Sequence, residues 1–174
     1  MLAQTTQTVK TARSARPSNK WLALVVTSLG TFASTVNASS VNIANPVLRG
    51  EFGVTMEQVQ WVTTIYLIIV SSSMLLLGRV GDRVGSHRVY ITGLAVFTVG
   101  SLVCGFSGNF VMLLAGRGVQ AVGAAMLLAT SMGLVATIFP LEQRGMAMGL
   151  NVLMVGLGNM CGPALGGLIL AQLE

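Results

Sequence analysis

Five apolar stretches recur along the chain, at residues 21–44, 58–77, 89–106, 110–138 and 145–170, and the charged residues collect between them. Each is near the roughly 20 residues that a helix needs to cross a bilayer core of about 30 Å. They are too long for barrel strands, and backbone polar groups surrounded by hydrocarbon need partners within their own segment, so each stretch is expected to be a helix. Composition agrees: 53% of residues are hydrophobic and 9% charged, where soluble domains carry about 25% charged residues. The expected fold is all-α, a polytopic membrane bundle of five transmembrane helices spanning 21–174. Residues 1–20, MLAQTTQTVKTARSARPSNK, are polar and basic without apolar periodicity and read as a disordered tail. The apolar stretch that follows exceeds the 7–15 residues of a secretory leader, so cleavage is not expected.

The loops fix an orientation. Lys10, Arg13, Arg16 and Lys20 precede the first span, Arg79, Arg83 and Arg88 follow the second, and Arg144 follows the fourth. The other side holds Arg49 with Glu51 and Glu57, and the connection SGN without charge. Lysine and arginine are retained on the cytoplasmic side of short loops, which places the amino terminus inside a bacterial-type inner membrane and Glu174 outside. The net charge of +5 is accounted for by these flanks; with no basic stripe on a polar surface, no nucleic-acid partner is expected. Trp21, Trp61 and Tyr90 sit near span ends, where interfacial anchors are expected. Cys104 and Cys161 lie inside apolar stretches and read as packed thiols. His87 is the single histidine, so neither a metal site nor a hydrolase triad can be assembled, and no enzyme is expected.

Three glycine-rich or charged patterns stand out. Between the second and third spans lies GRVGDRVGSHR, in which Gly78, Gly81 and Gly85 permit a sharp reversal and Asp82 sits among Arg79, Arg83 and Arg88, suited to charge-assisted pairing. In the fourth span Arg117 lies about two turns inside the apolar region; an intramembrane arginine costs at least a few kcal/mol unless paired or solvated, so it marks a functional site unless it snorkels outward. In the fifth span Gly158, Gly162 and Gly166 share one helical face, where backbones can approach closely, and Pro163 removes a donor and bends the helix.

Taken together, these residues resemble the major facilitator superfamily. Gly78, Asp82, Arg83 and Gly85 are similar to its signature between the second and third helices, with Ser86 and His87 before Arg88 where two basic residues are usual. Arg117, Gln120, Gly123, Ala124 and Ala125 resemble the fourth-helix signature, with Ala121 in place of a glycine. Gly158, Gly162, Pro163, Gly166 and Gly167 resemble the antiporter signature, which separates drug exporters from importers. VNASSVNIANP, with Asn42, Ala44 and Pro46, QWVTTIYLI and FPLEQRGMAMGL resemble the multidrug:proton antiporter branch of about fourteen helices.

The resemblance implies export of amphipathic, often cationic compounds against a proton gradient, without a bound cofactor. It also implies a pathway at Arg117 and Gln120 with Asn37 and Asn42, a cytoplasmic latch at Gly78, Asp82, Arg83, Gly85 and Arg88, and an exporter-type helix contact at Gly158, Gly162, Pro163, Gly166 and Gly167. Two features depart from it. Asn37 stands where the branch has aspartate, and no acid lies inside any span, so Arg117 is expected to lack a counter-charge. Five spans also supply only most of the amino-terminal half of a fold built from two halves. The glycine face and the Asp82 loop are therefore expected to await partners from a missing carboxy-terminal half. Such a chain is expected not to transport alone, whether as a truncated product or as one fragment of a larger transporter. The alternative is a small membrane protein that assembles with or inhibits a full-length homologue.

Overall fold

The computed structural model describes residues 20–170, with side chains described as far as 168. The tail expected at 1–20 falls outside the described residues apart from Lys20. Five helices follow one another: α1 (Lys20–Phe52), α2 (Met56–Val84), α3 (Ser86–Gly105), α4 (Phe110–Ile138) and α5 (Leu141–Leu170). All five are long and apolar enough to cross a membrane.

Several helices outrun the apolar stretches that announce them. α1 continues past 44 to Phe52 with Pro46 inside it, α2 continues past 77 to Val84, and α5 begins at Leu141. Hydrophobicity marks where lipid begins and ends; backbone hydrogen bonding continues into the polar layer until a residue stops it. The stops are local and legible. Thr55 caps α2 through a reciprocal pair, its hydroxyl accepting from the Gln58 N–H at 3.3 Å and its own N–H donating to Gln58 Oε1 at 2.9 Å. Asn109 caps α4 by accepting from the Met112 N–H at 2.8 Å. The extended Phe139 and Pro140 separate α4 from α5.

The expected glycine-rich loop between α2 and α3 is therefore corrected to a turn at one residue. Gly78, Asp82 and Arg83 lie in the last turns of α2, Arg88 lies in the first turn of α3, and only Gly85 takes a positive φ, 104°. Gly81 serves packing instead: a Cβ there would meet Thr130 Cγ2 of α4 at 2.8 Å.

α4 is the centre of the bundle. Half of its most apolar window is buried, against 11% for α2, and it packs on all four other helices. Its contact with α3 is a backbone-to-backbone approach. A Cβ on Gly100 would lie 2.7 Å from Gln120 Cα, and one on Gly123 would lie 2.7 Å from Phe97 Cα. Tyr66, Tyr90, Phe97, Ala121, Ala124, Leu127 and Leu134 close the interior around this contact. Tyr90, expected as an interfacial anchor, is instead 2% exposed, and its hydroxyl donates to the carbonyls of Val26 and Thr27 at 3.1 and 3.2 Å. α3 turns that ring inward across α1, which its place near a span end does not reveal. Trp21 and Trp61 do remain on the surface, Trp21 edge-on to Phe139.

The outside of the bundle is apolar. Leu22, Leu75, Leu76 and Leu168 are each 64 to 69% exposed, part of a surface far more apolar than a water-soluble monomer presents. Hydrocarbon is the solvent that suits it.

Because the α3–α4 contact has no room for a side chain, Gly123→Val should destabilise the protein by about 1–3 kcal/mol or more. Gly145→Ala, at a helical site with nothing within 4 Å, should be neutral or slightly stabilising. Thermal unfolding in detergent checks both; equal effects would mean the helices are not packed this closely.

Candidate functional site

Arg117 does not snorkel. It is 6% exposed and turns into the bundle between α1, α2 and α4. Its Nη1 donates to Asn37 Oδ1 at 2.7 Å and to Gln120 Oε1 at 2.9 Å. Gln120 Nε2 donates onward to Ser101 Oγ of α3 at 2.7 Å, and Ser101 donates to the Phe97 carbonyl at 2.9 Å. The Tyr66 ring of α2 lies 5.8 Å from Cζ, within cation–π reach. Four helices thus contribute to one polar network around a single positive charge.

Sequence reasoning named Arg117, Gln120 and Asn37, and the fold brings these three together. It missed Ser101, and it noted Tyr66 without pairing it to the arginine. Both contacts cross between helices, and nothing in either helix's own pattern points to them. Asn42, expected beside them, is exposed one turn and more further along α1, where its Oδ1 accepts from the Thr63 hydroxyl at 3.4 Å. Ala38, Val41, Val62, Thr63, Tyr66, Leu67 and Arg117 line a notch of about 10 Å³ between α1 and α2.

The glycine face of α5 has a partner within this chain. Gly158, Gly162 and Gly166 seat on α1: a Cβ would meet the Phe32 carbonyl at 3.1 Å, the Val36 carbonyl at 2.8 Å and the Ser40 carbonyl at 3.3 Å respectively. Ser39 Oγ reaches the Gly158 carbonyl at 3.2 Å and Ser40 Oγ the Gly162 carbonyl at 2.9 Å. The expectation that this face waits for a missing half is therefore corrected; the small side chains of α1 leave room for it. Pro163 sits inside α5, and Gly167 has nothing within 4 Å.

At the Lys20 end of the bundle, Ser71, Met74, Leu75, Gly78, Arg79, Asp82 and Ala129 line an open groove of about 460 Å³ along α2. Asp82 is exposed, and among the described residues no arginine lies within ion-pair distance of it, so the expected local pairing is absent. Arg79, Asp82 and Arg83 stand three and four residues apart on one side of α2, yet their exposed side chains do not meet. Cys104 and Cys161 are free thiols, and among the described residues no three metal-ligating side chains gather.

Gln120→Leu would leave both a guanidinium N–H and the Ser101 hydroxyl short of a partner inside the bundle. It should cost about 1–3 kcal/mol, whereas Asn42→Leu at its exposed site should cost far less. A double-mutant cycle of Gln120 with Ser101 in thermal unfolding should give a positive coupling; additivity would dissolve the network.

Comparison with known proteins places the chain. The profile of the Major Facilitator Superfamily matches residues 27–174. The chain is 45% identical over 151 residues to riboflavin transporter RibZ of Clostridioides difficile, covering 87% of this chain and 33% of that protein. It is 34% identical over 152 residues to multidrug resistance protein Stp of Mycobacterium tuberculosis, covering 87% and 28%. It is 30% identical over 149 residues to the tetracenomycin C resistance and export protein of Streptomyces glaucescens, covering 86% and 28%. The chain thus spans about a third of the length of these relatives. A multi-pass membrane chain rather than an enzyme, it belongs to the major facilitator superfamily.

Proposed function

We propose that the chain is the amino-terminal part of a proton-coupled exporter of amphipathic small molecules. The observation that carries this reading is the close seating of Gly158, Gly162 and Gly166 on α1, the face that the antiporter signature supplies. Similarity to a multidrug resistance protein and to a resistance and export protein supports it. In this reading Arg117, with Gln120 and Asn37, sets the electrostatics of the pathway, and Asn42 lines its rim. Gly78, Asp82, Arg83, Gly85 and Arg88 form a latch at the cytoplasmic end, where the groove along α2 receives the other half of the transporter. Gly158, Gly162, Pro163, Gly166 and Gly167 form the joint on which α5 moves against α1. The amino terminus is cytoplasmic, and the pathway lies between two halves of which this chain supplies one.

A second reading, transport of riboflavin, draws on the 45% identity to RibZ. One assay separates the two. The reading frame containing the chain is expressed in an efflux-deficient bacterium, and accumulation of a fluorescent amphipathic dye and of labelled riboflavin is followed with and without a proton gradient. Export predicts reduced dye accumulation that needs the gradient and is lost in Arg117→Ala at unchanged protein level. Gradient-dependent riboflavin flux without dye efflux selects the second reading. Neither flux above the empty-vector level refutes both.

For orientation, Cys104 and Cys161 are first replaced by serine, and single cysteines are placed at Arg83 or Ser107. A membrane-impermeant thiol reagent added to intact cells should label the cysteine at 107 and spare the one at 83. The reverse pattern would invert the topology.

A further inference from the structure

The guanidinium of Arg117 is only partly engaged. Its Nη1 edge is used by Asn37 and Gln120, and one face lies within reach of the Tyr66 ring. Nη2 and Nε have no protein acceptor among the described residues. Arginine remains charged at any physiological pH, and both oxygens that hold it belong to neutral amides. The cluster therefore carries a full positive charge, offset within the described residues by dipoles alone.

The notch beside it, between α1 and α2, measures about 10 Å³, room for one water-sized atom. Its wall combines Arg117, Thr63 and Tyr66 with apolar Ala38, Val41, Val62 and Leu67. Such a notch can take a terminal oxygen and no bulkier group, while the rest of a ligand lies along Val41 and Leu67. An ammonium brought to the same place would meet an uncompensated positive charge in a low-dielectric setting, where like charges repel far more strongly than in water.

Resting on the proposed role of Arg117 in the transport pathway, we propose that this notch receives a terminal acceptor oxygen of the ligand, so that amphipathic carboxylates and other oxyanions, rather than organic cations, are the preferred substrate class. The choice follows from Asn37. A carboxylate at that position, 2.7 Å from Nη1, would neutralise the arginine and remove the preference.

The test uses three probes of one shape: naphthalene-2-carboxylate, its neutral primary amide and 2-naphthylmethylammonium. Their binding to the purified product of the reading frame containing the chain, in lipid nanodiscs, is measured by calorimetry, with dye efflux scored separately as above. The carboxylate should bind at least about tenfold more tightly than the ammonium, a difference of about 1.4 kcal/mol, with the amide between them. Asn37→Asp, close in shape to the original, should close that gap, as should Arg117→Gln where it folds. Equal binding of carboxylate and ammonium would overturn the proposal and leave the export reading standing. So would a gap that survives in Asn37→Asp. Failure of all three probes to bind while dye efflux persists would remove Arg117 from the ligand's path; loss of both would take the export reading down with it.

Discussion

Hydrocarbon offers no hydrogen bonds, and that constraint governs nearly every feature of this molecule. It requires that backbone groups be satisfied within each segment, hence the five helices that the described residues send across the apolar layer. The same constraint decides how polar side chains behave inside. Thr27, Thr31, Ser34 and Thr35 are buried on α1 and return their hydroxyls to carbonyls of their own helix. Ser39 and Ser40 share theirs with α5. Arg117, only 6% exposed, gathers amide oxygens from two helices.

With lipid outside, apolar burial contributes little to holding the helices together, and close packing takes its place. The two tightest contacts are of this kind. α3 and α4 meet at Gly100 and Gly123, and α5 meets α1 at Gly158 and Gly162. They differ in chemistry. The first is sealed by Phe97, Leu127 and Tyr90 and anchors the centre. The second is lined by hydroxyls that bridge to carbonyls, contacts that can be exchanged for neighbours in the same helix, since Ser40 Oγ lies 2.8 Å from the Val36 carbonyl and 2.9 Å from that of Gly162. A joint with interchangeable partners suits movement better than a sealed one.

The Arg117 network sits between these two contacts and ties α1, α2, α3 and α4 into one unit. Its members are neutral apart from the arginine itself. An aspartate at position 37 would have formed an ion pair; asparagine keeps the hydrogen bond and leaves the charge.

Much of this was written in the order of residues. Length and hydropathy alone called for five helices, because a bilayer admits no other solution for such stretches, and Gly85 was among the glycines expected to turn the chain; the caps at Thr55 and Asn109 came only with the structure. Arg117, Gln120 and the glycines of α5 declared themselves by type: charge and amide where lipid penalises them, and missing side chains at helical spacing. Tertiary structure alone decided what each of these meets. It gave Gln120 to Ser101, set Tyr66 against Arg117, drew Tyr90 inward from a span end, and assigned the α5 glycines to α1. The reason is that helical periodicity specifies which face a residue occupies but not which neighbour that face finds; the neighbour follows from how five rods pack, and packing depends on all of them at once.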